Sequence, residues 1–270
     1  MLIAQEKNPK IFGHRGCRGL LPENTITAFN KAIELGVDGI EWDVVVNKNN
    51  ELIISHEPVI DASYCYDKEG KSFSKSEEKK YNIYQMTSEE VKAFDCGSKP
   101  YPKFPEQAKI KSYKPTLQEA FASIQFKPTT TILFEIKSVP AEYGSYQPTP
   151  EKYARIIANE IEKFQYKENI IFMCFDAKML EAMHQLLPNY RYVYLTYLPL
   201  KSATAFLNDL SFTPYALGML DLTITKKIVT AAHEKNVKVF AWTVNKIETA
   251  EKLKRKNVDG LITDYPDRIK

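Results

Sequence analysis

The sequence lacks the features that mark several special classes of protein. In 270 residues, no apolar run approaches the roughly 18 residues that a transmembrane helix requires. The 37 basic and 34 acidic residues leave a net charge of only +3, which is too small to predict a surface for nucleic acid. With a hydrophobic content of 44% and a charged content of 26%, the composition is instead typical of a globular protein.

The first seven residues contain neither a basic stretch nor an apolar stretch of useful length. We therefore expect no signal peptide and, for the sequence as it stands, a cytoplasmic location. If a leader has been removed, the protein is periplasmic or secreted instead. The oligomeric state cannot be predicted from these residues.

Cysteine is scarce, and its four positions are scattered: Cys17, Cys65, Cys96 and Cys174. None of them forms a Cys-x-x-Cys pair or has the spacing of a zinc site. The expectation is four free thiols, and a disulfide stays open because the sequence does not reveal the redox compartment.

Short β-rich apolar runs alternate along the chain with amphipathic helices. Strands are predicted at residues 11–13, 39–46, 52–55, 131–136, 170–175, 190–196, 216–220, 237–244 and 260–263. Helices are predicted at residues 25–35, 116–124, 153–164, 178–187, 226–235 and 247–256. Alternation of this kind favours a parallel sheet covered by helices.

The number of strands predicts a TIM (β/α)₈ barrel, a fold that typically takes about 250 residues. The ninth strand is accounted for if one arm of a hairpin at 39–55 lies outside the barrel. A doubly wound open sheet is the alternative, but the sequence has no glycine-rich phosphate turn after its first strand. Residues 57–114 interrupt the alternation with polar and proline-rich stretches. We therefore expect a single domain, 1–270, with an insertion folded over one end of the barrel.

Polar residues cluster on four of the predicted strands, where each strand ends or nearly ends. They are His14 and Arg15, Glu41 and Asp43, His56, and Glu135 and Lys137. The carboxyl ends of barrel strands meet on one face, where the active sites of TIM barrels form. We therefore expect these side chains to line one site.

The acidic residues of this set predict a metal site. Glu41 and Asp43 point to the same side of their strand because strand side chains alternate, and Glu135 converges with them at the barrel mouth. A Glu-x-Asp pair on a strand usually belongs to an exposed polar face. Here the flanking residues at 39–46 are apolar, which predicts that the two carboxylates are buried and therefore need partners. Oxygen ligands favour one hard divalent cation, Mg²⁺ or Ca²⁺.

The remaining side chains suit phosphate binding and proton transfer. Arg15 offers a planar fork to a phosphate, and Lys137 offers a point charge. His14 and His56 carry imidazoles that titrate near neutral pH, so they can act as an acid and base pair.

Taken together, these segments resemble the glycerophosphodiester phosphodiesterase family. The matching segments occur in the family's order and lie at 13–16, 22–25 with 28–29, 39–44, 56, 115–119, 135–137, 241–245 and 258–264. One such motif would be weak evidence, but a whole series in order is specific. The sequence departs from the family at Glu57, where an aspartate is usual after the second histidine.

The resemblance implies a TIM-barrel phosphodiesterase that uses one divalent cation. The residues that it implies for acid–base catalysis are His14 and His56. Those that it implies for the metal are Glu41, Asp43 and Glu135. Those that it implies for the substrate are Arg15 and Lys137 at the phosphate and Trp242 near the glycerol.

The function that follows is hydrolysis of a small-molecule glycerophosphodiester to glycerol 3-phosphate and an alcohol. A phospholipase-D-like or cyclising enzyme of the same superfamily, acting on lysophospholipids, is the closest alternative. It should expose an apolar rim, which the lysine-rich insertion does not suggest. A catalytically silent barrel that binds phosphodiesters is the alternative from another class, but the intact histidines and carboxylates argue against it.

Overall fold

The computed structural model describes residues 8–197 and 203–269. Residues 1–7, where we predict no signal peptide, lie outside this part of the chain. Within it, none of the helices has the length and apolar character needed to cross a membrane. All of the predicted strands and helices fall inside the described residues.

Eight parallel strands of the described residues close into a barrel. Together with one antiparallel strand, they form a sheet whose strands are β1 (Lys10–Gly13), β2 (Gly39–Val46), β3 (Leu52–Ile54), β4 (Thr131–Ile136), β5 (Ile170–Cys174), β6 (Arg191–Thr196), β7 (Ala216–Leu220), β8 (Lys238–Trp242) and β9 (Gly260–Thr263). The barrel closes where β1 pairs in parallel with both β2 and β9. β3 is antiparallel to β2, so this arm of the hairpin lies outside the barrel. The predicted TIM barrel is therefore confirmed, and the open sheet is excluded.

Helices connect the strands on the outside of the barrel. They are α1 (Ile26–Glu34), α2 (Ser88–Lys92), α3 (Leu117–Ser123), α4 (Pro150–Ile161), α5 (Ala177–Leu186), α6 (Ala203–Leu207), α7 (Lys226–His233) and α8 (Ile247–Arg255). In α1, the Thr25 side chain caps the N-terminus by accepting from the N–H of Ala28, and the apolar face is buried. The helix predicted at 153–164 begins earlier, at Pro150, because proline suits the first turn of a helix.

Side chains on the strands alternate between the barrel interior and the layer beneath the helices. On β2, the Trp42 ring points outward and packs against Phe29 and Phe134, with ring centroids 5.6 and 6.0 Å away. Its neighbours Glu41 and Asp43 point inward. The apolar cluster that fills the interior consists of Phe12, Leu133, Ile171, Met173, Val193, Leu195, Ala216, Phe240 and Ile262.

The segment between β3 and α3 carries a small apolar core of its own. It contains α2 and two 3₁₀ helices, Lys75–Tyr81 and Ile83–Gln85. The first of these forms although its sequence has no apolar period, because Ser74 and Glu77 form a capping box. The buried cluster beneath the segment consists of Val45, Ile53, Ile60, Tyr64, Cys65, Ile83, Val91, Phe94 and Cys96.

Cys65 and Cys96 are joined by a disulfide within this cluster. The expectation of four free thiols is therefore wrong for these two cysteines, whereas Cys17 and Cys174 are free and buried. The pairing is not visible in the sequence because the two residues are 31 positions apart. They meet only when the segment between β3 and α3 has folded.

Replacing both Cys65 and Cys96 by serine is expected to lower the free energy of unfolding by about 3–4 kcal/mol, because the bond restricts the unfolded chain. Urea unfolding followed by circular dichroism measures the difference. Dithiothreitol should produce the same loss in the wild type and none in the double variant. Equal stability of the wild type and the double variant in the absence of reductant would contradict the prediction.

Candidate active site

The predicted site residues meet at the carboxyl ends of the barrel strands. Those that line one cavity of about 230 Å³ are His14, Arg15, Glu41, His56, Glu135, Lys137 and Trp242. Asp43 is fully buried beside them, with its Oδ2 atom 3.2 Å from Nε of Arg15. The structure therefore brings all of these residues together at one end of the barrel.

Glu41, Asp43 and Glu135 form a compact acidic cluster. Each offers one carboxylate oxygen, and these oxygens lie within 4.8 Å of one another. The strand register explains their proximity, because Asp43 of β2 is paired with Glu135 of β4, and Glu41 lies two residues earlier on the same face. All three side chains are buried, so water screens their mutual repulsion poorly.

The acidic cluster has the properties of a cation site. Among the described residues, Glu41 Oε1 and Asp43 Oδ1 are buried and have no hydrogen-bond donor, which is costly for a carboxylate. Burial, together with Asp43 and Glu135, raises the pKa of Glu41 well above its usual value. A divalent ion favours ionised oxygen ligands of this kind, so the residues present fit a hard cation.

Arg15 and Lys137 place positive charge beside the acidic cluster. Arg15 Nη1 lies 2.5 Å from Oε1 of Glu23, and its Nε lies 3.2 Å from Asp43. Lys137 donates to Glu135, and its Nζ lies 3.6 Å from Oδ1 of Asp43. Burial raises the pKa of Asp43, but Arg15 and the neighbouring cations outweigh it, so the pKa falls below its usual value. Asp43 is therefore ionised.

His14 is held by a buried carboxylate. Its Nδ1 lies 2.7 Å from Oδ1 of Asp264, which also accepts from Nε of Arg18 at 2.5 Å, while Asn245 donates to the other carboxylate oxygen. Nε2 of His14 lies 3.8 Å from Oε2 of Glu41. Burial and the charge of Arg18 lower the pKa of His14 to about 3. The imidazole is therefore neutral at pH 7, and the ionised Asp264 favours a proton on Nδ1.

His56 lines the same cavity and also has a carboxylate at Nδ1. This nitrogen lies 2.7 Å from Oε1 of Glu57, whose other oxygen accepts from the Tyr64 hydroxyl at 2.7 Å. The His56 side chain is 33% exposed, compared with 12% for His14. In each of the two imidazoles, Nδ1 is thus held by a carboxylate, and Nε2 remains available to accept or donate a proton.

Trp242 belongs to an aromatic wall of the cavity, together with Phe175 and Tyr197. The rings of Phe175 and Tyr197 stack with their centroids 4.1 Å apart, and Trp242 is nearly perpendicular to both at 5.5 Å. Its Nε1 atom is a buried donor without a partner among the described residues. The wall offers an apolar surface and one hydrogen-bond donor to a ligand.

Sequence reasoning missed the residues that support the predicted ones: Arg18, Glu23, Asn24, Glu57 and Asp264. Three of them fall in the motifs at 22–25 and 258–264, but their partners are distant in sequence. Asp264 meets His14 from 250 positions away, and Asn24 donates to Asp43 at 2.9 Å. The feature of the sequence that could have identified them is a charged or amide side chain inside a motif whose other residues are apolar or favour turns.

Replacing Asp264 by asparagine is expected to destabilise the protein at pH 7 by about 3 kcal/mol, because buried Arg18 loses its hydrogen-bonded carboxylate and keeps only the more distant Glu23, whose Oε2 lies 3.8 Å from Nη1. Burial raises the pKa of Asp264, but His14 and Arg18 outweigh it and lower the pKa below the usual 3.8. A carboxyl group whose pKa is lowered by folding stabilises the fold at pH values above its pKa in the unfolded chain. This contribution is lost as the pH falls through the pKa of the group in the folded protein.

Urea unfolding at a series of pH values checks this prediction. Wild-type stability should fall below about pH 4, and Asp264→Asn should show a smaller fall there. Asp67→Asn is the control, because the Asp67 carboxylate lies in a surface turn. Equal acid dependence of the wild type and Asp264→Asn would count against the prediction.

Comparisons with known proteins find relatives along nearly the whole chain. The sequence pattern of the "Glycerophosphoryl diester phosphodiesterase family" matches residues 14–268. A glycerophosphodiester phosphodiesterase of Caldanaerobacter subterraneus subsp. tengcongensis is 30% identical over 259 residues, covering 96% of this chain and 95% of that relative. A second, from Bacillus altitudinis, is 27% identical over 259 residues, covering 96% of each chain.

Solved structures share the fold. A protein from Silicibacter pomeroyi superposes with a TM-score of 0.87 at 24% identity, covering 97% of this chain and 91% of that one. An Oleispira antarctica phosphodiesterase, in complex with the product sn-glycerol-3-phosphate, has a TM-score of 0.78 at 21% identity, covering 97% and 95%. At these identities, the likeness shows the barrel architecture.

Proposed function

This chain belongs to the glycerophosphoryl diester phosphodiesterase family, a family of phosphoric diester hydrolases, and we propose that it hydrolyses glycerophosphodiesters to glycerol 3-phosphate and an alcohol. The observation that carries this proposal is the geometry of one cavity. The acidic cluster, two imidazoles, an arginine and a lysine all reach it from different strands. This set of groups suits a phosphate diester, which needs charge neutralisation and two proton transfers.

In this proposal, Glu41, Asp43 and Glu135 hold one divalent cation, Mg²⁺ or Ca²⁺. The ionised Asp43 and the two carboxylate oxygens without hydrogen-bond donors support this assignment. When bound, such a cation neutralises phosphate charge and lowers the pKa of a coordinated hydroxyl. The acidic cluster lies close to Arg15 and Lys137, so the phosphate would lie between the cation that the cluster holds and these two positive side chains.

Arg15 and Lys137 bind and orient the phosphate. Both side chains are held by carboxylates, Arg15 by Glu23 and Lys137 by Glu135, so their charged groups are fixed before the substrate arrives. The aromatic wall, which includes Trp242, packs against the apolar surface of the glycerol or of the leaving alcohol.

His14 and His56 carry the protons. One imidazole accepts the proton of the attacking hydroxyl on Nε2, and the other donates a proton to the oxygen of the leaving alcohol. Asp264 and Glu57 stabilise the imidazolium form, which is produced on the histidine that accepts a proton and is already present on the histidine that donates one, because both carboxylates accept from Nδ1. The attacking hydroxyl belongs either to the substrate's own glycerol or to water.

We also propose that the chain forms a single domain in which residues 57–114 are an insertion over the barrel mouth. Backbone and side-chain bonds tie this segment to the loop after β1. The Ala108 N–H donates to the carbonyl of Leu20 at 2.9 Å, and Nε2 of Gln107 donates to the carbonyl of Arg18 at 2.6 Å. Lys103 of the segment lines the cavity.

Turnover of a panel of glycerophosphodiesters tests the proposed function. The reactions contain Mg²⁺, Ca²⁺ or chelator, and both products are identified. We expect glycerol 3-phosphate and the free headgroup alcohol in equal amounts, and only with a divalent cation. Full turnover in chelator would refute the metal requirement, and no glycerol 3-phosphate from any substrate would refute the activity.

Exposed apolar side chains that follow the carboxyl ends of barrel strands, one of which (Tyr197) lines the cavity, favour a second candidate, a phospholipase-D-like or cyclising reaction on lysophospholipids. Among the described residues, the exposed large apolar side chains that follow carboxyl ends of barrel strands are Val139, Tyr197, Leu222 and Ile247. The catalytic face therefore has apolar groups at its edge, contrary to what the lysine-rich insertion suggests. Lysophosphatidate or a cyclic phosphate from lysophosphatidylcholine, in place of glycerol 3-phosphate from the soluble diester, would favour this candidate.

A further inference from the structure

A chain of hydrogen bonds runs from His56 back into the segment between β3 and α3. Nδ1 of His56 meets Oε1 of Glu57 at 2.7 Å. Oε2 of Glu57 accepts from the Tyr64 hydroxyl at 2.7 Å. The Tyr64 oxygen in turn accepts from Nζ of Lys114 at 2.8 Å. Four side chains are thus linked in series, and only the first of them faces the cavity.

The direction of the hydrogen bonds in this chain is fixed by its last member. A lysine ammonium can only donate, so the Tyr64 oxygen must accept from Lys114. The Tyr64 hydroxyl then directs its own proton towards Glu57. Burial raises the pKa of Glu57, but the hydrogen bond and charge of His56 outweigh it and, with Arg15 and Lys114, hold the pKa well below its usual value. As an ionised acceptor, Glu57 requires a proton on Nδ1 of His56.

The far end of the chain is anchored, whereas the near end is partly exposed. Tyr64 and Lys114 are each 4% exposed, and Tyr64 belongs to the apolar cluster beneath the segment. The side chains of His56 and Glu57 are 33% and 26% exposed. Lys114 lies two residues before Thr116, which is bridged to Ile53 of β3. The buried side chains of Tyr64 and Lys114 therefore support the partly exposed side chains of His56 and Glu57.

We propose that Tyr64 and Lys114 are positioning residues for the hydrolysis. They hold Glu57 in place, so that His56 keeps a proton on Nδ1 in both its neutral and its charged form and presents Nε2 to the cavity. The inference rests on the proposed function for the role of His56. Neither Tyr64 nor Lys114 touches the cavity directly, so both act through Glu57. The segment between β3 and α3 thus takes part in catalysis and does more than cover the barrel.

Nuclear magnetic resonance measures the tautomer of His56 without any substrate. The protein has only four histidines, so a ¹⁵N-labelled sample gives a spectrum that His56→Ala can assign. In the metal-free wild type, we expect neutral His56 to carry its proton on Nδ1. Tyr64→Phe and Lys114→Met should each shift the population towards the Nε2–H form, because Glu57 is released.

Kinetics provides the second measurement. Tyr64→Phe should lower kcat for a glycerophosphodiester about tenfold, the effect of losing a hydrogen bond to a charged group. KM should change less than about twofold, because the phosphate contacts of Arg15 and Lys137 are untouched. A purely structural role would lower kcat only in proportion to the folded fraction, which circular dichroism measures.

Tyr101→Phe is the matched control. The Tyr101 ring packs against that of Tyr64, with centroids 5.4 Å apart, yet it is not part of the chain to His56. We expect the wild-type tautomer and the wild-type kcat in this variant. An unchanged His56 tautomer in Tyr64→Phe would overturn the inference, whatever the activity. Failure of the wild type to turn over any diester would instead refute the proposed function.

Discussion

Glu41→Gln is expected to lower the metal-dependent turnover of a glycerophosphodiester by at least about a thousandfold. The amide is close in shape to the carboxylate but carries no negative charge, so the acidic cluster loses one of its three anionic ligands. Steady-state kcat over a range of Mg²⁺ and Ca²⁺ concentrations measures the effect. Excess metal should not restore the wild-type rate.

The same variant is expected to be more stable than the wild type in chelator. Burial, Asp43 and Glu135 raise the pKa of Glu41, so ionised Glu41 opposes folding at pH 7, and its contribution improves as the pH falls. Glutamine removes this penalty, which thermal unfolding in chelator detects. Glu69→Gln is the control, because this glutamate is exposed. Wild-type turnover in Glu41→Gln would show that the acidic cluster does not serve the reaction.

His14→Ala and His56→Ala are each expected to lower kcat by about 10²–10⁴-fold, the usual contribution of a general acid or base. The double variant should lose less than the product of the two single effects, because groups that act in one proton-transfer sequence are not additive. The measurement is kcat with a saturating divalent cation. Circular dichroism of each variant shows whether the fold is intact.

His233→Gln is the matched control for the two alanine variants. His233 lies at the end of α7, where its Nε2 is 2.8 Å from Oδ2 of Asp259, and its side chain is 38% exposed. We expect the wild-type rate, since this histidine lies outside the cavity. A rate close to wild type in either His14→Ala or His56→Ala would remove that histidine from the proposed mechanism.

The barrel could be predicted because its signals are local. Alternating apolar runs and amphipathic helices mark each unit, and the strand predicted at 260–263 has the same bounds as the observed β9. Helix ends were less predictable, as the start of α4 at Pro150 shows. The start of a helix depends on capping and on the packing of its first turn, which an apolar period does not report.

The site was predictable to the extent that it depends on strand alternation. Glu41 and Asp43 share a face of the strand because they are two residues apart, a spacing that can be read directly from the sequence. Their meeting with Glu135 depends on the register of β2 against β4, which could be expected only from the convergence of strand ends. The support of His14 by Asp264 depends on closure of the barrel between β1 and β9. No local pattern contains that information.

The segment between β3 and α3 was the least predictable part of the protein. Its polar sequence gives no periodic signal, and its fold depends on contacts that join distant positions, such as Tyr66 with Asp95. Tyr64 and Lys114 are 50 positions apart, so the role that we propose for them behind Glu57 could not be predicted from their spacing. Buried polar side chains in such a segment become meaningful only when their partners are known.

The disulfide between Cys65 and Cys96 connects the proposed role of Tyr64 to the redox conditions around the protein. Cys65 directly follows Tyr64, so the bond fastens the backbone next to the side chain that holds Glu57. Glutathione and thioredoxin keep thiols reduced in most cytosols, whereas such bonds persist in the periplasm and outside the cell. If Tyr64 positions His56 as proposed, moving the protein from an oxidising to a reducing compartment would alter the alignment of the His56 imidazole without changing any residue of the barrel.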